Sequence, residues 1–189
     1  MEINERERLG NRCVMGVVAP ATNTVVQPEM EALRPEGVIN AHARIANPEQ
    51  RVLADGDTLT VRGAMMSGLM GAVDTLAPAR PDHVILGVMV ENFVGGGAAG
   101  ARLIGLKAPS PGSIGHMPVA RMRDAVRELN GPDVDVIIQV GTGLPFAELA
   151  RAAEVELGKP VLASNPVSYW RALRQVGITD MMPGRLVQI

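Results

Sequence analysis

The chain has 189 residues, 47% of them hydrophobic but only 2% aromatic, with a formal net charge of −2. A core of Val, Leu, Ile, Ala and 11 Met residues is expected, in one large domain or two small ones. The balanced charge, and aromatic rings limited to Phe93, Phe146, Tyr169 and Trp170, exclude a basic footprint and a base-stacking platform, so no nucleic acid partner is expected. The lone cysteine, Cys13, excludes an internal disulfide and a Cys-rich metal site and fits a reducing compartment. The polar start MEINERERLGNR lacks the apolar core of a signal peptide, and no run of eighteen apolar residues occurs. A cytoplasmic protein without a membrane partner is expected.

The elements alternate along the chain. Val14–Pro20 (VMGVVAP) reads as a short buried strand. A short helix follows over Val26–Leu33, and Val38–Ile45 (VINAHARI) alternates as a second strand before a polar loop over Ala46–Gly56. Asp57–Leu76 is the clearest helix, with Met65, Leu69, Val73 and Leu76 as its apolar stripe and Met66 and Met70 beside it. His83–Val90 (HVILGVMV) is a third buried strand. The stretch Gly95–Gly115 has little periodicity, and a strand hidden at Leu103–Lys107 is one reading of it. Pro118 opens a helix with stripe Val119, Met122, Val126 and Leu129, closed by Asn130-Gly131. Val134–Val140 is a buried strand, Phe146–Leu157 a helix ended by Gly158, Val161–Ala163 a strand, and Asn165-Pro166 starts the last helix. This order favours right-handed βαβ crossovers in an α/β fold with parallel sheets flanked by helices.

Two strand ends carry the chemistry. Val14–Pro20 runs into Ala21-Thr22-Asn23-Thr24, and Val134–Val140 runs into Gly141-Thr142-Gly143-Leu144-Pro145. Ligands of open α/β sheets bind at the carboxyl ends of strands, where backbone donors and helix starts converge. Hydroxyls, an amide and glycine N–H groups at two such ends point to a small anion. Each has a structural alternative: Asn23 and Thr24 as turn or helix cap, the glycines as a tight turn, and Asn165 as an N-cap.

The segments GVVAPATNTVVQPEMEAL, VILGVMVENFVGG and VDVIIQVGTGLPFAELARAAEVELGKPVLASNPVSYWRAL resemble the aspartate/glutamate racemase superfamily, in particular its maleate isomerase and arylmalonate decarboxylase branch. The last segment is the most specific, because it joins strand, turn, helix, strand and helix without a gap. The resemblance implies two pseudo-symmetric Rossmann-like lobes, 1–100 and 101–189, with the site between them. It also implies an enzyme without cofactor or metal, acting on a small carboxylate with negative charge developing on that carboxylate. The candidate substrate-binding residues are Thr22, Asn23, Thr24, Asn92, Gly141, Thr142, Gly143 and Asn165, of which Asn23 and Thr24 lie in the matched loop and Asn165 is an N-cap first.

The chain departs from that pattern in two ways. The family's thiols would fall near Met89 or Val90 and near Gly141, and none of these is cysteine. Cys13 precedes the first strand, at the end away from the expected cleft. The region between Gly100 and Met117 is also shorter than in relatives, by roughly one or two strand–helix units. Glu91, with Asn92, follows the third strand beside the missing first thiol, where a desolvated carboxylate would serve as general acid or base. The alternative is that Glu91 only solvates a strand end. His42, His83 and His116 have no metal-ligand spacing. Gly95-Gly96-Gly97-Ala98-Ala99-Gly100 fits G-x-G-x-x-G, but without a clear following helix and an acid about twenty positions on it reads as a flexible turn or the scar of a shortened lobe, not a dinucleotide site.

Three readings follow: an enzyme of the superfamily using a non-thiol acid/base, a carboxylate-binding protein without turnover, and a degenerate chain stable as a homo-oligomer.

Overall fold

The computed structural model describes residues 10–46, 55–88 and 102–182, with side chains from 66 onward in the second stretch. Glu91, Asn92 and the glycine run at 95–100 lie outside the described residues, as does most of the expected loop at 46–56.

Strand β1 (Cys13–Pro20) is the centre of a three-stranded parallel sheet, flanked by β2 (Val38–Ile45) and β3 (His83–Leu86) in the order β2-β1-β3. Register is set at Met15, opposite Asn40 on one side and His83 on the other. A central parallel strand is covered on both faces, which is why its sequence is continuously apolar rather than alternating. Met15 through Ala19 are all buried.

The two faces of β1 have different covers. Cys13, Met15, Val17 and Ala19 pack with Val26 and Met30 of α1 (Val26–Ala32) and with Tyr169 and Leu173 of α5 (Ser164–Gln175). Val18 packs on the other face with Ala43, Ile45, Ala72 and Leu76, the last two from α2 (Asp55–Leu76). The last described helix therefore completes the core of the first sheet.

Helix α2 begins within two residues of its expected start, and of its expected stripe Leu76 is buried and Leu69 packs against the same core. Met66 and Met70 are exposed, and Gly68, Ala72 and Leu76, four residues apart, turn toward the sheet. A Cβ at Gly68 would sit 2.9 Å from the backbone oxygen of Ala46, so small residues let the helix approach β2 closely. The seam shares Leu76 with the apolar stripe read from the sequence and adds the small residues Gly68 and Ala72 beside it.

The second sheet pairs β4 (Ile137–Gln139) in parallel with β5 (Val161–Ala163), Ile137 opposite Val161. Its core joins Ile137 and Val161 to Met122 and Val126 of α3 (Val119–Leu129) and to Phe146, Ala150 and Ala153 at α4 (Ala147–Leu157). Three expectations fail here. The run Val134–Val140 yields a strand of only three residues, and Val136, Ile138 and Val140 stay exposed because the described helices cover one face only. Val119 is 54% exposed, although Met117 before it and Met122 after it are buried. Leu103–Lys107 forms no strand: Leu103 is exposed, and the regular structure nearby is a 3₁₀ turn over Pro111–His116.

Candidate functional site

The carboxyl ends of both sheets meet at one hydrogen-bonded junction. After β1 the chain turns through Ala21-Thr22, and the buried Asn23 side chain faces two ways. Its Oδ1 accepts from the N–H groups of Val25 and Val26 at 3.0 and 3.1 Å, capping the start of α1. Its Nδ2 donates to Thr142 Oγ1 at 3.1 Å, in the loop after β4. Thr142 is buried, and its hydroxyl donates onward to the carbonyl of Gly87, just past β3, at 2.9 Å. Structural cap and inter-sheet contact are thus combined in one Asn side chain.

The glycine loop is similarly tied. Gly141 has φ +115°, a backbone conformation open to glycine but rare for other residues. Its N–H donates to Ser164 Oγ at 3.2 Å and its carbonyl accepts from Gln139 Nε2 at 2.6 Å. Gly141 therefore spends its donor inside the protein, which corrects its expected role as a free backbone donor. The N–H groups of Thr142 and Gly143 meet no acceptor among the described residues. Thr24 is exposed and Thr22 half-buried at the rim. A Cβ on Gly115 would lie 2.6 Å from Thr24 Oγ1, so the 3₁₀ turn closes tightly over that hydroxyl.

Asn165 is not the cap of α5. The helix starts at Ser164, and Asn165 turns inward, 1% exposed. Its Nδ2 donates to the Thr142 carbonyl at 3.0 Å and to Glu29 Oε2 at 2.7 Å. Its Oδ1 accepts no hydrogen bond among the described residues.

Residues without a signal in the sequence complete the junction. Glu29 Oε1 accepts from the N–H groups of Phe146 and Ala147, each at 2.9 Å, at the start of α4. Burial raises the pKa of this carboxyl, while its bonds to Ala147, Asn165 and Phe146 pull the other way. Arg44, at the end of β2, donates to the Asn23 carbonyl and to Gln27 Oε1, the latter at 2.8 Å. His42, two residues earlier, is half-buried beside Glu31 at 3.4 Å, and its pKa is lowered by burial. A groove of about 840 Å³ runs alongside, lined by Thr24, Glu29, Gly115, Pro145 and Trp170 among others. Among the described residues no three His, Cys, Asp or Glu side chains gather as a metal-ligand set.

Cys13 lies at the far end of β1 from this junction, separated by a strand of eight residues, roughly 23 Å at the usual rise. It is 1% exposed, and burial pushes its thiol up to about 11. Thiol reagents are expected to leave the folded protein unlabelled at neutral pH and to label it only on unfolding, followed by mass. Because the folded value lies above the ordinary 9.0, this group's contribution to stability is intact below pH 9 and is lost as pH rises through about 11.

No protein-family model matches the chain, and no curated protein sequence matches it. Solved structures do. The fold is an α/β arrangement of parallel strands flanked by helices, of the kind found in maleate isomerase structures. One is a cysteine-to-serine mutant of Nocardia farcinica maleate cis-trans isomerase with a covalently bound succinylcysteine intermediate. It is similar with TM-score 0.76 and 19% identity, over 93% of this chain and 98% of that one. The same Nocardia farcinica enzyme bound to TRIS gives TM-score 0.76 and 18% identity, over 93% and 97%. Among the described residues no helix is long and apolar enough to cross a membrane.

Proposed function

We propose that this chain is a cofactor-independent enzyme acting on a small carboxylic or dicarboxylic acid, as an isomerase or lyase working through an enediolate-type intermediate. The observation that carries this reading is the junction of Asn23, Thr142 and Gly87 at the carboxyl ends of two parallel sheets. The likeness to maleate cis-trans isomerase structures supports a small dicarboxylate as the substrate class. Thr142 and Gly143 offer adjacent backbone N–H groups, and Asn23 Nδ2 carries a second N–H beyond the one given to Thr142. Such donors favour a carboxylate and, more strongly, the added charge of an enediolate. Thr22, Thr24 and Asn92 complete the substrate-binding set, while Asn165, expected to touch substrate, gives its Nδ2 hydrogens to Thr142 and Glu29 and supports the loop instead.

The acid/base is Glu91, four residues beyond Gly87 in sequence, where no thiol stands at Met89 or Val90. The test is proton NMR in D₂O with aspartate, glutamate, maleate and arylmalonates. Exchange beside a carboxylate, double-bond isomerisation or loss of CO₂ is expected with the wild type, and Glu91→Gln is expected to abolish it while carboxylate binding stays. An active Glu91→Gln protein would remove the assignment.

A second reading, binding without turnover, is favoured by one observation: neither family thiol position carries cysteine. Turnover in D₂O separates the two. The chain is also read as a homo-oligomer, which the exposed Val84, Leu86 and Ile138 on strands β3 and β4 support.

A further inference from the structure

The junction is held from one side by a carboxylate that takes no part in the chemistry proposed above. Glu29 sits in the first turn of α1, beside the first sheet, yet the described hydrogen bonds of its carboxylate all go to the second half of the chain, 117 to 136 positions away. One oxygen closes the first N–H groups of α4, a helix of eleven residues. The other oxygen holds Asn165 Nδ2. Asn165 in turn holds the Thr142 carbonyl, Asn23 Nδ2 binds the Thr142 hydroxyl, and that hydroxyl binds Gly87.

We propose that Glu29 is a positioning residue for the carboxylate cradle: it fills the start of α4 with an internal anion and, through Asn165, fixes the loop that presents Thr142 and Gly143. This rests on the small-carboxylate reading, and it adds where the substrate is not bound. The start of α4 is a ready anion site by its dipole and open N–H groups, but Glu29 occupies it. The substrate carboxylate is therefore directed to the Asn23–Thr142–Gly143 side. The charged groups lining the same groove are Glu148, Arg151 and Glu154 on α4 and Arg123 on α3, and Glu148 opposes ionisation of Glu29.

Glu29→Gln separates the two jobs of this side chain. The Gln carbonyl still accepts from Phe146 and Ala147, but its NH₂ meets the NH₂ of Asn165, donor against donor. In ¹⁵N-resolved NMR spectra at pH 7, the variant is expected to shift the signals of Thr142, Gly143 and the Asn165 and Asn23 side-chain amides. Its affinity for maleate is expected to fall about tenfold. Changes confined to Phe146 and Ala147, with maleate affinity intact, would overturn the proposal.

If the wild type binds no maleate, the small-carboxylate reading fails, and the NMR shifts still decide whether Glu29 positions the loop. Should Glu29→Gln not fold, a pH titration of the wild type decides instead. Signals of Phe146, Ala147, Asn165 and Thr142 are expected to move together with one midpoint, raised from the ordinary glutamate value. A Thr142 signal that does not follow the others would overturn the proposal.

Discussion

Asn23→Ala is expected to weaken maleate binding by about tenfold to a hundredfold, in line with the ~1.5–3 kcal/mol typical of a hydrogen bond to a charged group. The substitution removes three interactions at once: the two N–H bonds that cap α1 and the bond to Thr142. Loss of the cap alone costs about 0.5–2 kcal/mol of stability. Thr142 also loses the donor to its hydroxyl, although it keeps its own bond to Gly87. Calorimetric titration with maleate and thermal unfolding separate the effects. A lowered Tm with unchanged affinity would make Asn23 a structural cap only. Thr142→Ala provides the matching test from the other sheet, because it removes the same contact without touching α1.

Leu173→Ala is expected to give the largest loss of stability, about 2–5 kcal/mol, as for other buried leucine truncations. In a chain of this size that corresponds to a Tm lower by roughly 5–15 °C. Leu173 is fully buried and packs with Met15, Val17 and Tyr169, so the cavity opens between α5 and the first sheet. The effect reaches the site as well, since α5 begins at Ser164 and carries Asn165. Val155→Ala, at a position 84% exposed on α4, is the control and is expected to stay within about 0.5 kcal/mol. Equal Tm values for the two variants would show that α5 does not close the first core.

Local pattern was enough for some elements and misleading for others. Strand β2 has the bounds its alternation implies, and β1 differs only by the inclusion of Cys13. Asn23 and Thr142 stood out because polar residues directly after apolar strands have few roles other than turns, caps and ligand contacts. The failures share a cause, which is that burial depends on what lies across the fold. Ile138 sits in an apolar run like that of β1, but the described helices cover only one face of its sheet. Met66 and Met70 lie beside a helical stripe whose Leu76 is buried, yet they stay exposed while Gly68 and Ala72 turn inward, because a small-residue seam fits closer to β2. Glu29 looks like an ordinary acid in the first turn of a helix, favourable to that helix's dipole. Its partners are more than a hundred positions away, and nothing local announces them.

The proposed function requires that the junction of the two strand ends bind a carboxylate. The most direct measurement is a titration of ¹⁵N-labelled protein with maleate, followed residue by residue. Saturable shifts centred on Asn23, Thr142, Gly143 and Asn165 are the predicted result. Shifts confined to exposed basic side chains such as Arg102 and Arg171, or no saturable shift at the junction, would contradict it.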